Sequence, residues 1–181
     1  MDPRRVNRGR TARSIGSDRT LSEDVSHRAD IELHLRRAAE RIARRVRAKH
    51  YVAGGIRVRL KTTEFEMLSR QTRLPRPDDT ADAFFAVSRQ LLDGFDHPGP
   101  FRLVGLAAFD LDWRQQPLQS DLFDDHRQRD LETAIDDLVN RFGNGVVKRA
   151  KDLGHRGTIS DNGMNLDFLD YRDGERVSTP G

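Results

Sequence analysis

Ile56-Arg57-Val58-Arg59-Leu60-Lys61 alternates aliphatic and cationic residues with a period of two. Successive side chains of a strand point to opposite faces, so this run predicts a strand with three aliphatics on one side and three cations on the other. The aliphatic side needs helices to cover it. A second strand is expected over about 65–74, turning near Thr63-Glu64, carrying Arg70 and Arg73 and stopped by Pro75 and Pro77. Upstream, Ile31, Leu35, Ala38, Ala39, Ile42 and Val46 recur at helical spacing, Ser26 is a candidate N-cap, and Gly54-Gly55 ends the pattern. A short extended segment, roughly 14–22, precedes that helix. Downstream, Phe84, Val87, Leu91 and Leu92 mark a second helix over about 80–93, closed by Gly94 and His97-Pro98-Gly99-Pro100. A last strand covers about 101–110. The order is β-α-β-β-α-β, a split βαβ arrangement of the α+β class. It predicts a four-stranded antiparallel sheet with two helices on one face and the cations on the other.

The chain has 181 residues, of which 34% are charged and 35% hydrophobic. That is too polar for a core spanning the whole length. No apolar run is long enough to cross a membrane as a helix, and the arginine-rich first residues lack the apolar stretch of a secretory signal. With no cysteine, disulfides and thiolate metal sites are excluded, which fits the cytoplasm. The net charge of +3 hides an asymmetry: residues 1–76 hold 20 Lys/Arg against 9 Asp/Glu, and residues 77–181 hold 12 against 20. A basic first part suggests a polyanionic partner.

Beyond residue 110 the character changes. Residues 111–126 are linker-like. Leu131, Ala134, Ile135, Leu138, Val139 and Phe142 then form an amphipathic helical stripe, stopped by Gly143, that docks on the core or a partner. The segments are a flexible basic terminus (1–12), a folded core (13–110), a linker (111–126), a helical extension (127–150) and a mostly disordered tail (151–181).

The cations Arg57, Arg59 and Lys61, beside Arg70 and Arg73, are the strongest chemical feature. Residues two apart on a strand stand about 6.5–7 Å apart, a repeat that a sugar-phosphate backbone can follow. Like charges along one strand repel, which argues against a purely structural purpose. Phosphate contacts position without specifying sequence. An RNA-recognition motif on this fold stacks bases on aromatics of its central strands, and the two middle segments, 56–61 and 67–74, have none. No convincing catalytic constellation is present. Asp110 and Asp112 fall at a strand end, the six histidines lack metal-ligand spacing, and Gly143–Gly145 lacks the Walker pattern. No cofactor and no metal are expected.

Several stretches carry a resemblance. Arg13-Ser14-Ile15-Gly16-Ser17-Asp18-Arg19-Thr20-Leu21, the run 56–61, Ser69-Arg70-Gln71-Thr72-Arg73-Leu74-Pro75 and Phe101-Arg102-Leu103-Val104-Gly105-Leu106 resemble, in order, segments of the little finger, the C-terminal domain of Y-family translesion polymerases of the DNA polymerase IV type. Gln119-Ser120-Asp121-Leu122-Phe123 is similar to the peptide that bacterial replication proteins insert into the sliding clamp. Arg141-Phe142-Gly143 also falls in the family's order, and the likeness spans about 13–150.

The resemblance implies a non-catalytic, sequence-independent grip on duplex primer–template DNA, damaged DNA included, in DNA repair by translesion synthesis. Its DNA-contact candidates are Ser14, Ile15, Gly16, Arg57, Arg59, Lys61, Arg70 and Arg73, and its clamp-docking residues are Gln119, Leu122 and Phe123. The family's metal-binding carboxylates lie in a palm domain to which nothing here corresponds. The chain is therefore not expected to polymerise DNA on its own. An alternative makes it part of a split or truncated polymerase whose palm lies in another subunit. Another makes it a protein-interaction domain using the helix at 131–142.

Overall fold

The computed structural model describes residues 12–113, 125–143 and 165–171. The elements are β1 (Ala12–Val25), α1 (Arg28–Ala48), β2 (Tyr51–Thr62), β3 (Met67–Asp78), α2 (Ala81–Leu92), β4 (Phe101–Trp113), α3 (Asp125–Phe142) and β5 (Asn165–Tyr171). The first six follow the expected β-α-β-β-α-β order. The sheet is antiparallel with strand order β3-β2-β4-β1-β5.

The core forms where the sequence pattern puts it. Ile31, Leu35, Ala38, Ala39, Ile42 and Val46 of α1 are buried against Ile15, Ile56, Val58, Leu60, Val104, Leu106 and Ala108 of the sheet. Phe84 of α2 is fully enclosed in the same cluster. Thr80 caps α2, its hydroxyl accepting from the Ala83 amide. Both helices therefore cover one face of the sheet.

Several boundaries differ from expectation. Ser26 does not cap α1: the N-cap is His27, without a side-chain cap, and its carbonyl accepts from the amides of Asp30 and Ile31. Gly54-Gly55 lies within β2, and the reversal after α1 uses His50 at φ 55°. Gly55 serves another purpose. A Cβ there would stand 2.2 Å from the ring of Phe109, so the glycine lets that aromatic lie across the strand. The prolines do not stop β3, which runs on to Asp78. β3 is an edge strand, and its register slips between Gly55↔Arg73 and Ala53↔Asp78, so Pro75 and Pro77 fall where the ladder needs no amide. β4 extends to Trp113 because Leu111 is still buried, which shortens the linker from its start.

The expected disordered tail over 151–181 is corrected within Asn165–Tyr171. This segment pairs with β1 from Arg19↔Asn165 to Ala12↔Tyr171 and becomes the fifth strand. Without it β1 would be an edge with unpaired amides and carbonyls, and an open edge accepts a strand from anywhere in the chain.

Of the two expected dockings of α3, the one on the core is made by polar residues rather than by the apolar stripe. The helix's polar side meets the body. Glu132, only 3% exposed, accepts from the Ala81 amide at the start of α2 (2.9 and 3.1 Å) and pairs with Arg47 at 2.5 Å. Asp136 meets Arg47 at 2.7 Å and Arg44 at 3.3 Å, and Arg129 meets Asp79 at 2.8 Å. A carboxylate at a helix N-terminus satisfies free amides and complements the helix dipole. The apolar stripe is split: Ile135 and Val139 are half-buried on the side of Glu132 and Asp136, and Leu131, Leu138 and Phe142 are exposed.

Candidate nucleic-acid interface

Paired residues of neighbouring antiparallel strands stand on the same face of a sheet. Arg57 pairs with Gln71 and Ala107, Arg59 with Ser69 and Gly105, and Lys61 with Met67 and Leu103. Gly55 pairs with Arg73 and Phe109. Arg57, Arg59, Lys61 and Arg73 therefore share the face opposite the helices. The alternation in β2 positions three of them, and the hairpin register brings Arg73 beside them.

Arg70 does not join them. It pairs with Val58, on the helix-covered face. Its guanidinium reaches Asp96 at 3.6 Å and lies over the ring of Phe95. Arg70 and Arg73 are three apart, and an odd spacing on a strand puts two side chains on opposite faces. The expected five-cation lattice is a four-cation one.

The open face also carries carboxylates and an aromatic. Arg59 donates to Asp18 Oδ2 at 2.5 Å. The other oxygen, Oδ1, is buried without a hydrogen-bond partner. The carboxylate can lie there because position 105 is glycine, where a Cβ would stand 2.1 Å from Oδ1. Burial pushes the Asp18 carboxyl above its ordinary range, and the Arg59 charge and hydrogen bond pull the other way. Arg73 meets Asp110 at 3.2 Å. Arg57 donates to Gln71 at 2.8 Å and lies over the Phe109 ring. Arg57, Arg73, Gln71, Phe109, Asp110 and Ser14 line a depression of about 610 Å³. Two of the four cations are thus paired with carboxylates, and the face is less positive than its sequence suggests.

The sequence reading missed Asp18. Its signal was present: on a strand, 18 shares the parity of 14 and 16 and faces the cations.

The three candidates in β1 are placed differently from one another. Ile15 is fully buried in the core and presents no side chain to a ligand. Ser14 is on the open side, opposite Phe109, and is almost enclosed. Gly16 accepts from Arg45 through its carbonyl at 2.9 Å. All three also pair with β5, so β1 is an interior strand. Gln119, Leu122 and Phe123 lie outside the described residues.

Asp110 bridges to Arg73, and Asp112 accepts from the Trp113 amide, both structural contacts. Among the described residues no group of three or more His, Asp or Glu could hold a metal ion, and no helix is long and apolar enough to cross a membrane.

The profile of the impB/mucB/samB family C-terminal domain matches residues 12–122. DNA polymerase IV of Moorella thermoacetica is 37% identical over 151 residues, which cover 82% of this chain and 38% of the relative. DNA polymerase IV of Brucella melitensis biotype 1 is 31% identical over 150 residues, 82% of this chain and 34% of the relative. The chain thus spans little more than a third of the length of these curated relatives. A solved Y-family DNA polymerase chimera has the same fold, with a TM-score of 0.52 at 18% identity over 57% of this chain and 30% of that one. With the β-α-β-β-α-β core, a basic sheet face that no described helix covers and the profile match in agreement, the chain belongs to the impB/mucB/samB C-terminal domain family and has the little-finger fold of Y-family DNA polymerases.

Proposed function

We propose that the open face grips duplex DNA without sequence preference, as the DNA-holding part of a translesion polymerase. The observation that carries this reading is the gathering of Arg57, Arg59, Lys61 and Arg73 on one sheet face that no described helix covers. A pleated row of cations tracks a backbone rather than reading base edges, so affinity is modest and independent of sequence. The internal pairs Arg59–Asp18 and Arg73–Asp110 lower it further, since a phosphate must compete with a carboxylate for each guanidinium. The chain has no nucleotidyl transfer of its own in this reading. Catalysis belongs to palm carboxylates, in the same longer protein or in a separate polymerase subunit.

Titration of a short primer–template duplex at several salt concentrations, followed by anisotropy, tests the grip. With three or four phosphate contacts, log K falls against log salt with a slope of roughly −3. An affinity that ignores salt rejects it.

Docking on a bacterial sliding clamp through Gln119, Leu122 and Phe123 belongs to the same proposal. Leu122→Ala with Phe123→Ala removes clamp binding in a pull-down and leaves duplex affinity unchanged. A partner-binding role for α3 is a second reading, favoured by the exposure of Leu131, Leu138 and Phe142. A chain that fails to bind duplex at physiological salt supports it over the first.

A further inference from the structure

The β2–β3 hairpin carries an aromatic where its turn favours glycine. The Phe65 amide donates to the Thr62 carbonyl at 3.1 Å, and the Thr62 amide donates to the Glu66 carbonyl at 2.9 Å. This is a tight loop whose last residue takes the left-handed conformation, a position that favours glycine. Phe65 occupies it at φ 72°, an outlier for a bulky side chain. Burial does not compensate the strain, because Phe65 is 63% exposed. Met67 beside it is exposed too.

Two cations frame the ring. Arg102 Cζ is 4.3 Å from its centroid and Lys61 Nζ is 4.9 Å away. Arg102 gets there through an irregularity: Lys61 pairs with Leu103 and Thr62 with Phe101, which leaves Arg102 as the extra residue between them. Such bulges re-aim a side chain. A strained turn residue, a bulged arginine and the last cation of the β2 row thus converge at one end of the open face.

From this convergence we infer that Phe65 is a stacking platform for an unpaired nucleobase of the DNA held on the sheet, with Lys61 and Arg102 flanking it. The inference rests on the proposed duplex grip and adds to it a preference for single-strand junctions. Every base offers a π face, so stacking tolerates any sequence, and a cation beside the ring strengthens it. Lys61, shared with the cation row, lets a backbone that follows the row deliver its next base to the ring.

The experiment compares a blunt duplex with the same duplex carrying an unpaired adenine extension at the 5′ or the 3′ end. The wild-type chain is expected to bind one extended form about tenfold more tightly than the blunt one. Phe65→Ala and Phe65→Gly erase that difference and keep blunt-duplex affinity. The glycine variant relieves the turn, so its thermal midpoint holds or rises, and loss of the fold cannot explain its loss of preference. Phe65→Trp keeps the preference, and its emission is quenched by the extended duplex but not by the blunt one, with Trp113 of the wild type as the baseline. Equal wild-type affinity for all three DNAs overturns the stacking role and leaves the grip standing. So does a preference that survives Phe65→Ala. Failure to bind any of the three overturns both.

Discussion

The two faces of β2 are built from alternate residues of one hexapeptide and obey different rules. Ile56, Val58 and Leu60 are buried to within 1% of completely, and their environment tolerates only apolar volume. Arg57, Arg59 and Lys61, one residue along in each case, are half-buried and carry their charge on the open face. Loss on the first face is loss of packing and costs stability. Loss on the second is loss of charge and costs affinity. The contrast also shows how the open face is tempered. Like charges packed along a strand repel, and the fold brings Asp18 and Asp110 in beside two of the cations. The face stays foldable when empty, at some expense in attraction for phosphate.

The largest expected effect separates the faces outright. Phe84→Ala, in the enclosed layer, should destabilise by about 3–5 kcal/mol in urea unfolding. Any DNA affinity it retains while folded should match the wild type. Reversing Arg57 and Lys61 to Glu, with Arg59 kept because it balances the nearly buried Asp18, should weaken duplex binding at least about 100-fold at low salt and leave the urea midpoint nearly unchanged. If stability collapses and affinity survives, the assignment of the faces is reversed. Next, Glu132→Ala leaves Arg47 partly unpaired and uncaps α2, with a loss of about 2–3 kcal/mol. Leu138→Ala, on the exposed stripe of the same helix, should stay within about 0.5 kcal/mol. Equal costs would mean that α3 docks by its apolar side after all.

His34 sharpens the comparison from within the covered face. It is 4% exposed, and desolvation, with the charges of Arg19 and Arg37 behind it, lowers its pKa from 6.5 to about 4. The unfolded chain therefore binds the proton more readily, so the stabilisation is complete above about pH 6.5 and fades as pH falls towards 4. At pH 5 the loss should be about 2 kcal/mol in thermal or urea unfolding, and His34→Gln should flatten that dependence. The smallest effect is a null one. Arg70→Ala, on the wrong side of the sheet, should change duplex affinity less than about twofold, and a larger change would restore it to the contact set.

The alternation at 56–61 and the stripes of α1 and α2 were readable because each repeats over a few neighbouring residues. The four-strand core follows from them. The face of Arg70 was also readable, from its odd spacing to Arg73. By contrast, nothing local in Asn165–Tyr171 announces a strand, since its partner β1 lies about 150 residues away. Nothing in the stripe of α3 reveals that Glu132 rather than Leu138 will face the body.

The sequence alone determined what the segments of the β-α-β-β-α-β core are and which of their sides is apolar, because helix and strand periods are properties of the backbone read over one or two turns. The tertiary structure alone decided which strangers meet: Asp18 with Arg59 across Gly105, Glu132 with the first turn of α2, Arg102 with the ring of Phe65. Register between strands and docking between helices are set by the packing of the whole. No period within a segment encodes the partner that packing brings to it.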